Sequence, residues 1–155
     1  MQLRPFNIED THLLNAWTGH QDELFKFSGT SWDYPLTEAF LDAYQGAYPG
    51  RTQYILESND EALGFGEMIE GEDNSPRLSR LLIAPEQRGK GYGKELVVQL
   101  LQTIKAPAIY LFVLADNAVA RQCYETCGFE YVDHSPFSMS YKEQKYPVLK
   151  MQIKP

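Results

Sequence analysis

The sequence predicts an α/β (α+β-like) domain with a mixed, mainly antiparallel central sheet of about six to seven strands, flanked by helices and holding one βαβ unit. Three observations carry that prediction. Alternating runs at 53–58 and 63–70, separated by Asn59-Asp60-Glu61, signal an antiparallel hairpin. A helical apolar stripe, Leu96, Val97, Leu100, Leu101 and Ile104, follows a strand and a glycine-rich loop. The stretch Ala-Ile-Tyr-Leu-Phe-Val-Leu-Ala at 108–115 is apolar throughout, as in a strand buried on both faces.

Taken in order, residues 2–6 form a short first strand. Ile8, Leu13, Leu14 and Trp17 recur at helical spacing behind Asn7, which suits an N-cap. Residues 28–36 read as a loop rich in breakers and aromatics. Thr37 then caps a second helix reaching Tyr44, closed by Gly46 and the Pro49-Gly50 turn. After the hairpin and a polar loop over 71–76, Leu78–Ala84 is a third strand ended by Pro85. The striped helix runs from Gly93 to Lys105 and stops before Pro107. Asp116 or Asn117 caps a shorter helix ending at Cys127-Gly128-Phe129, with Gly128 placed for a left-handed C′. Two strands, 130–133 and 146–153, close the fold around a polar, aromatic loop over 134–145. No linker divides residues 1–155, so one domain is expected.

Composition narrows the class. At 155 residues, with 43% apolar and 23% charged positions, folding buries about 70% of the chain's surface and needs no staple. No apolar run is long enough to cross a membrane, and the first residues lack a signal-peptide layout. Cys123 and Cys127, four apart, suit reduced core residues rather than a disulfide framework. A cytoplasmic protein is expected. His12, His20 and His134 share no ligand spacing with the cysteines, so no metal is expected. The net charge of −7 argues against nucleic acid as partner. That charge is uneven: residues 1–80 hold 14 acidic against 5 basic side chains, and residues 81–155 hold 7 against 9. Two ligands of opposite sign would suit such a split, as would ordinary drift of surface charge.

The strongest local signal is Arg88-Gly89-Lys90-Gly91-Tyr92-Gly93-Lys94, between a strand and a helix. Glycines there let the backbone approach a ligand, and successive N–H groups with the helix N-terminus favour an anion. Arg88, Lys90 and Lys94 add positive charge, so a phosphate-bearing ligand is expected. The spacing is not that of a P-loop, and the dinucleotide fingerprint fails because Lys94 stands where its third glycine belongs.

The run from Leu81 to Gly93 resembles the acetyl-CoA motif of the GNAT superfamily of N-acetyltransferases, whose [RQ]-x-x-G-x-[GA] pattern is matched by Arg88, Gly91 and Gly93. A second segment, Asn117, Ala120, Tyr124 and Gly128-Phe129, is similar to a later motif of the same family. The resemblance implies a sheet with two splayed parallel strands and acetyl-CoA as cosubstrate. It implies that Leu81, Leu82 and Ile83 pair with the pantetheine arm, and that residues 88–94 (Arg88, Gly89, Lys90, Gly91, Tyr92, Gly93, Lys94) wrap the pyrophosphate. Asn117 would hydrogen-bond the pantetheine, and Tyr124 would protonate the departing thiolate. A monomer or homodimer is implied.

Acetyl transfer to an amine requires a deprotonated amine, a stabilised oxyanion and a leaving thiolate. A backbone N–H near Leu82 or Ile83 would serve the oxyanion. The carboxylates that some family members carry as base fall here on Phe112 and Arg77. Glu67 leads the remaining carboxylates, ahead of Glu70, Asp33 and Asp116, and a water chain to bulk is an equal alternative. Trp32, Asp33 and Tyr34 form either an aromatic, acidic wall for a cationic amine or a loop whose aromatics cap the core; Tyr141 and Tyr146 invite the same two readings. The expected activity is therefore acetyl transfer from acetyl-CoA to a primary, cationic amine. A non-catalytic acetyl-CoA sensor and a protein-interaction module are the alternatives.

Overall fold

Two tight hairpins are each built on a pair of residues with positive φ. Asn59 (φ 51°) and Asp60 (φ 64°) join β2 (Arg51–Ser58) to β3 (Glu61–Ile69), and Lys142 (φ 50°) and Glu143 (φ 64°) join β7 (Ser138–Tyr141) to β8 (Gln144–Ile153). Both are type I′ geometry, whose twist matches that of the flanking strands. The first was readable in Asn-Asp. The second was not, because Lys-Glu is no turn signature, and the expected loop over 134–145 instead holds β7 and the start of β8. The computed structural model describes residues 1–71, 74–133 and 137–155, so His134 and part of the 71–76 loop lie outside the described residues.

β1 (Gln2–Pro5), β4 (Arg77–Ile83), β5 (Ile109–Leu114) and β6 (Glu130–Asp133) complete the strands. Their order is β1-β2-β3-β4-β5-β8-β6, with β7 paired to β8. The β4–β5 pair is parallel and the other pairs are antiparallel. The expected mixed sheet is therefore present, with β7 as the strand beyond the expected number.

Helices cover both faces. One buried cluster joins Leu14, Leu24, Trp32, Leu41 and Tyr44 to Ile55, Phe65 and Leu82 of the sheet. It is built on α1 (Thr11–Thr18), α2 (Gln21–Ser28) and α3 (Glu38–Ala47). The other joins Leu96, Val97 and Leu100 to Leu56, Leu78, Leu111 and Met151, under α4 (Tyr92–Gln102) and α5 (Ala118–Thr126). Adjacent Ile55 and Leu56 enter opposite clusters, as strand alternation requires.

Some boundaries differ from the sequence reading. Residues 8–10 form a 3-10 turn before α1, and α2 had no cap or stripe clear enough to announce it. The striped helix ends at Gln102 rather than Lys105. The capping residues were legible. Thr37 Oγ1 accepts from the Phe40 N–H at 3.0 Å, and Asn117 Oδ1 accepts from the Ala120 N–H at 3.2 Å. Gly128 (φ 104°) ends α5 in a Schellman motif: its N–H donates to Glu125 O, and the Phe129 N–H donates to Tyr124 O, each at 3.0 Å.

Candidate active site

β4 and β5 pair only at their beginnings. The register holds one pair, Arg77 opposite Tyr110, beside a hydrogen bond from the Tyr110 N–H to Pro76 O at 3.2 Å. Beyond it the two strands part, and a cleft of about 440 Å³ opens between them. Ser79–Leu81 form one wall and Leu111–Leu114 the other, with Asn117, Ala120 and Tyr124 of the α5 segment across the opening.

A bulge shapes the first wall. Between Phe65 and Glu67 on β3, β4 advances from Leu82 to Ser79, so β4 carries one extra residue there. Arg80 takes up that excess with φ 50°, a conformation that costs a non-glycine residue about 1–3 kcal/mol. On β3, Gly66 faces the bulge; a Cβ there would stand 2.7 Å from Leu100 Cδ1 and 3.1 Å from Leu81 Cδ2. Only a glycine fits without repacking.

The Arg80 side chain is fixed on the α1–α3 side of the sheet. Its Nη1 donates to Glu67 Oε1 at 2.8 Å and to Tyr44 Oη at 3.1 Å, and Nη2 donates to Ser31 Oγ at 3.1 Å. The guanidinium stands 4.5 Å over the Trp32 ring, a cation–π contact in a dry setting. Glu67 is wholly buried. Its other oxygen, Oε2, accepts from Tyr44 Oη at 2.7 Å and from Gln53 Nε2 at 2.8 Å. Burial and the Glu67 carboxylate push the Tyr44 phenol up to about 12, so it stays protonated and donates. Both carboxylate oxygens are engaged, and Glu67 is the counter-ion of Arg80. The sequence points to it as the leading candidate base because its strand abuts the cleft; Glu67 is not among the residues that line that cleft.

Tyr124 is half-buried on α5 and is one of the residues that line the cleft, and its hydroxyl makes no hydrogen bond among the described residues. Burial raises the phenol's pKa further above its ordinary value, with the neighbouring Cys123 and Cys127 adding to the shift. Both cysteines are free and half-buried, and burial pushes the Cys123 thiol up to about 11. Among the described residues, no group of three metal-ligating side chains converges.

The glycine loop wraps the N-terminus of α4. Gly89 (φ 77°) and Gly91 (φ 85°) both adopt left-handed backbone, and Gly91 is the N-cap of that helix. Gly93 lies where an added Cβ would be 3.5 Å from Cys123 Sγ, an ordinary van der Waals contact between α4 and α5. Arg88, Lys90 and Lys94 are exposed around these turns. Arg88 Nε donates to Ile83 O at 3.2 Å, tying the loop to the end of β4. A Gly91→Ala variant meets no atom within 4 Å of its Cβ, so its effect is backbone strain of about 1–2 kcal/mol. Thermal unfolding should show a Tm lowered by roughly 2–8 °C.

The aromatic wall does not form. Trp32 is only 1% exposed, packed edge-on against Phe27, Phe40 and Tyr44, and it serves the core and Arg80. Asp33 is exposed, and neither it nor Tyr34 lines the cleft. Tyr141 stacks on Phe25 with ring centroids 4.2 Å apart, and its hydroxyl donates to Asp22 Oδ1 at 2.5 Å, so that residue braces β7 against α2.

The cleft's charged lining residues are instead Lys26, Arg51, Arg77 and Arg80. The acidic excess of the first 80 residues therefore lies elsewhere. Sequence reasoning missed Arg51 and Arg80; strand parity around the hairpin could have placed Arg51 on the face shared with Gln53 and Ile55.

Residues 17–129 match the sequence profile described as the acetyltransferase (GNAT) family. The chain is 25% identical over 127 residues to UPF0039 protein C11D3.02c of Schizosaccharomyces pombe, covering 76% of this chain and 81% of that one. It is 29% identical over 85 residues to the spermidine N(1)-acetyltransferase of Vibrio cholerae, covering 52% of this chain and 49% of that enzyme. A crystal structure of spermidine N-acetyltransferase from Vibrio cholerae with CoA and spermine superposes with a TM-score of 0.80 at 20% identity, covering 99% of this chain and 94% of that one. At that identity the likeness establishes the fold: a mixed sheet with one parallel pair, flanked by helices on both faces.

Proposed function

Because the chain belongs to the acetyltransferase (GNAT) family, we propose that it moves an acetyl group from acetyl-CoA directly to a primary amine. The observation that carries this reading is Tyr124, which lines the cleft between the splayed parallel strands with no hydrogen bond to its hydroxyl among the described residues.

Strand alternation selects the backbone donors. The Ala84 N–H donates to Leu63 O at 2.9 Å, so the Leu82 N–H also turns to β3 while those of Leu81 and Ile83 turn to the open edge. Leu81 follows the bulge and is the oxyanion donor; Ile83 pairs with the pantetheine arm. The amides of residues 88–94, with Arg88, Lys90 and Lys94, take the pyrophosphate. Asn117 spends Oδ1 on its cap, leaving its amide NH₂ for a pantetheine carbonyl.

In the reaction the neutral amine nitrogen attacks the thioester carbonyl and a C–N bond forms. The oxyanion collapses, the C–S bond breaks, and the thiolate takes the Tyr124 phenol proton. The proton lost by the nitrogen passes to water, and water returns one to the Tyr124 phenolate; among the described residues no carboxylate lines the cleft. Glu67 acts as a positioning residue, holding Arg80 and with it the bulge.

Spermidine acetylation by relatives supports a cationic acceptor; the arginines of this cleft oppose one. Among the described residues no helix is long and apolar enough to cross a membrane, consistent with action on a dissolved amine. Purified protein with acetyl-CoA and a panel of amines should release CoA thiol only when an acceptor is present, with one acetyl mass added to that acceptor. Acetyl-CoA bound but unconsumed across the panel would replace this reading with the sensor, which the missing carboxylate base favours.

A further inference from the structure

We propose that the acceptor carries an anionic oxygen group, a carboxylate or a phosphate, alongside its amine, and that Arg77 with Arg51 binds that group. The inference rests on the transferase reading above and names the acceptor class of the same cleft.

Register places the two arginines together. Arg51 on β2 stands opposite Ile69 on β3, and Ile69 opposite Arg77 on β4. They therefore share one cross-strand row, roughly 10 Å apart at the backbone, on the face where the cleft opens. Neither has a carboxylate within 4.0 Å among the described residues. Arg77 makes only a cation–π approach to the Phe112 ring, 5.5 Å to its centroid. Arg51 donates to Tyr44 Oη at 2.8 Å and lies 4.1 Å over the Tyr48 ring. Among the described residues, the groups in direct contact with both guanidiniums are neutral.

Arg80 strengthens the field. Its side chain is 9% exposed, its Nε is buried without a partner, and its one counter-ion is Glu67. Among the described residues, these three guanidiniums form one ion pair with a carboxylate, that of Arg80 with Glu67. Phe25, Phe112 and Phe137 also line the cleft, low-dielectric surfaces that concentrate the field into it. A polyamine brought there meets like charge, whereas an anionic group gains charge-assisted hydrogen bonds. The positive field also disfavours the acceptor's ammonium form, which supplies a neutral nucleophile where no base stands.

The test uses matched acceptors: glycylglycine against glycylglycinamide, phosphoethanolamine against ethanolamine, and spermidine. Initial rates come from thiol release, and the same compounds are titrated calorimetrically into the CoA-bound protein, which reads binding independently of turnover. The anionic member of at least one pair should be preferred by tenfold or more, and the pair that responds distinguishes carboxylate from phosphate. Arg77→Gln should lower that preference by tenfold or more, and Arg77→Lys should restore part of it. Pairs handled within twofold in both readouts, a failure of every acceptor to bind, or spermidine ahead of both anionic compounds would overturn the proposal. Acetyl-CoA that binds while the pairs are not distinguished defeats this inference alone; acetyl-CoA that does not bind defeats the transferase reading as well.

Discussion

Tyr124→Phe is expected to lower kcat by about 10- to 10⁴-fold, with the Kd for acetyl-CoA changed by less than about twofold. The substitution removes one oxygen and keeps the ring, which packs 6.1 Å from the Phe129 ring beside the Schellman turn. Folding should therefore survive. What disappears is the hydroxyl of the α5 tyrosine that lines the cleft, a group with no hydrogen-bond partner among the described residues. Because burial holds its pKa above the ordinary value, the group is protonated at neutral pH and can donate to a thiolate. Stopped-flow or steady-state thiol release, with calorimetry for the Kd, separates the two quantities. Unchanged turnover would remove Tyr124 from the mechanism.

Glu67→Ala should be the most destabilising single substitution near the site. It leaves the Arg80 cation in a pocket where its side chain is 9% exposed. Removing one partner of a buried pair costs about 3–5 kcal/mol. For a domain of this size that is a Tm lowered by roughly 6–20 °C. Glu67→Gln keeps an acceptor for Arg80 and Tyr44 and loses only the charge, so it should fall between the wild type and the alanine variant. Its pH–rate profile should keep the wild-type shape if Glu67 positions Arg80. Loss of the alkaline-rising limb in that variant would restore Glu67 as a base.

Much of the fold was legible because its signals are local. The Asn59-Asp60 hairpin, the α4 stripe and the caps at Thr37 and Asn117 each depend on neighbours a few residues away. The glycine loop was legible for the same reason: Gly89 and Gly91 do adopt positive φ. β7 was hidden because Lys142 and Glu143 are pushed into left-handed backbone by strand pairing rather than by their own preference. The Arg80 bulge needs the register of β3 against β4, and the contact between Arg80 and Glu67 spans 13 residues across that register.

The charges that line the cleft were hidden for a related reason. Net charge along the chain says nothing about which side chains alternate into a cleft, and Arg51, Arg77 and Arg80 do so while Asp33 stays exposed. For Trp32 the sequence leaves two readings open, a wall for the amine or a cap on the core; the second matches its burial, and its partners Phe40 and Tyr44 come from the following helix.

A calorimetric titration of acetyl-CoA into the purified protein tests the account at its centre. One-to-one binding at micromolar Kd, weakened in Gly91→Ala, is the predicted result. No heat of binding, with no shift in Tm when acetyl-CoA is added, would contradict it and leave the glycine loop as a turn between β4 and α4.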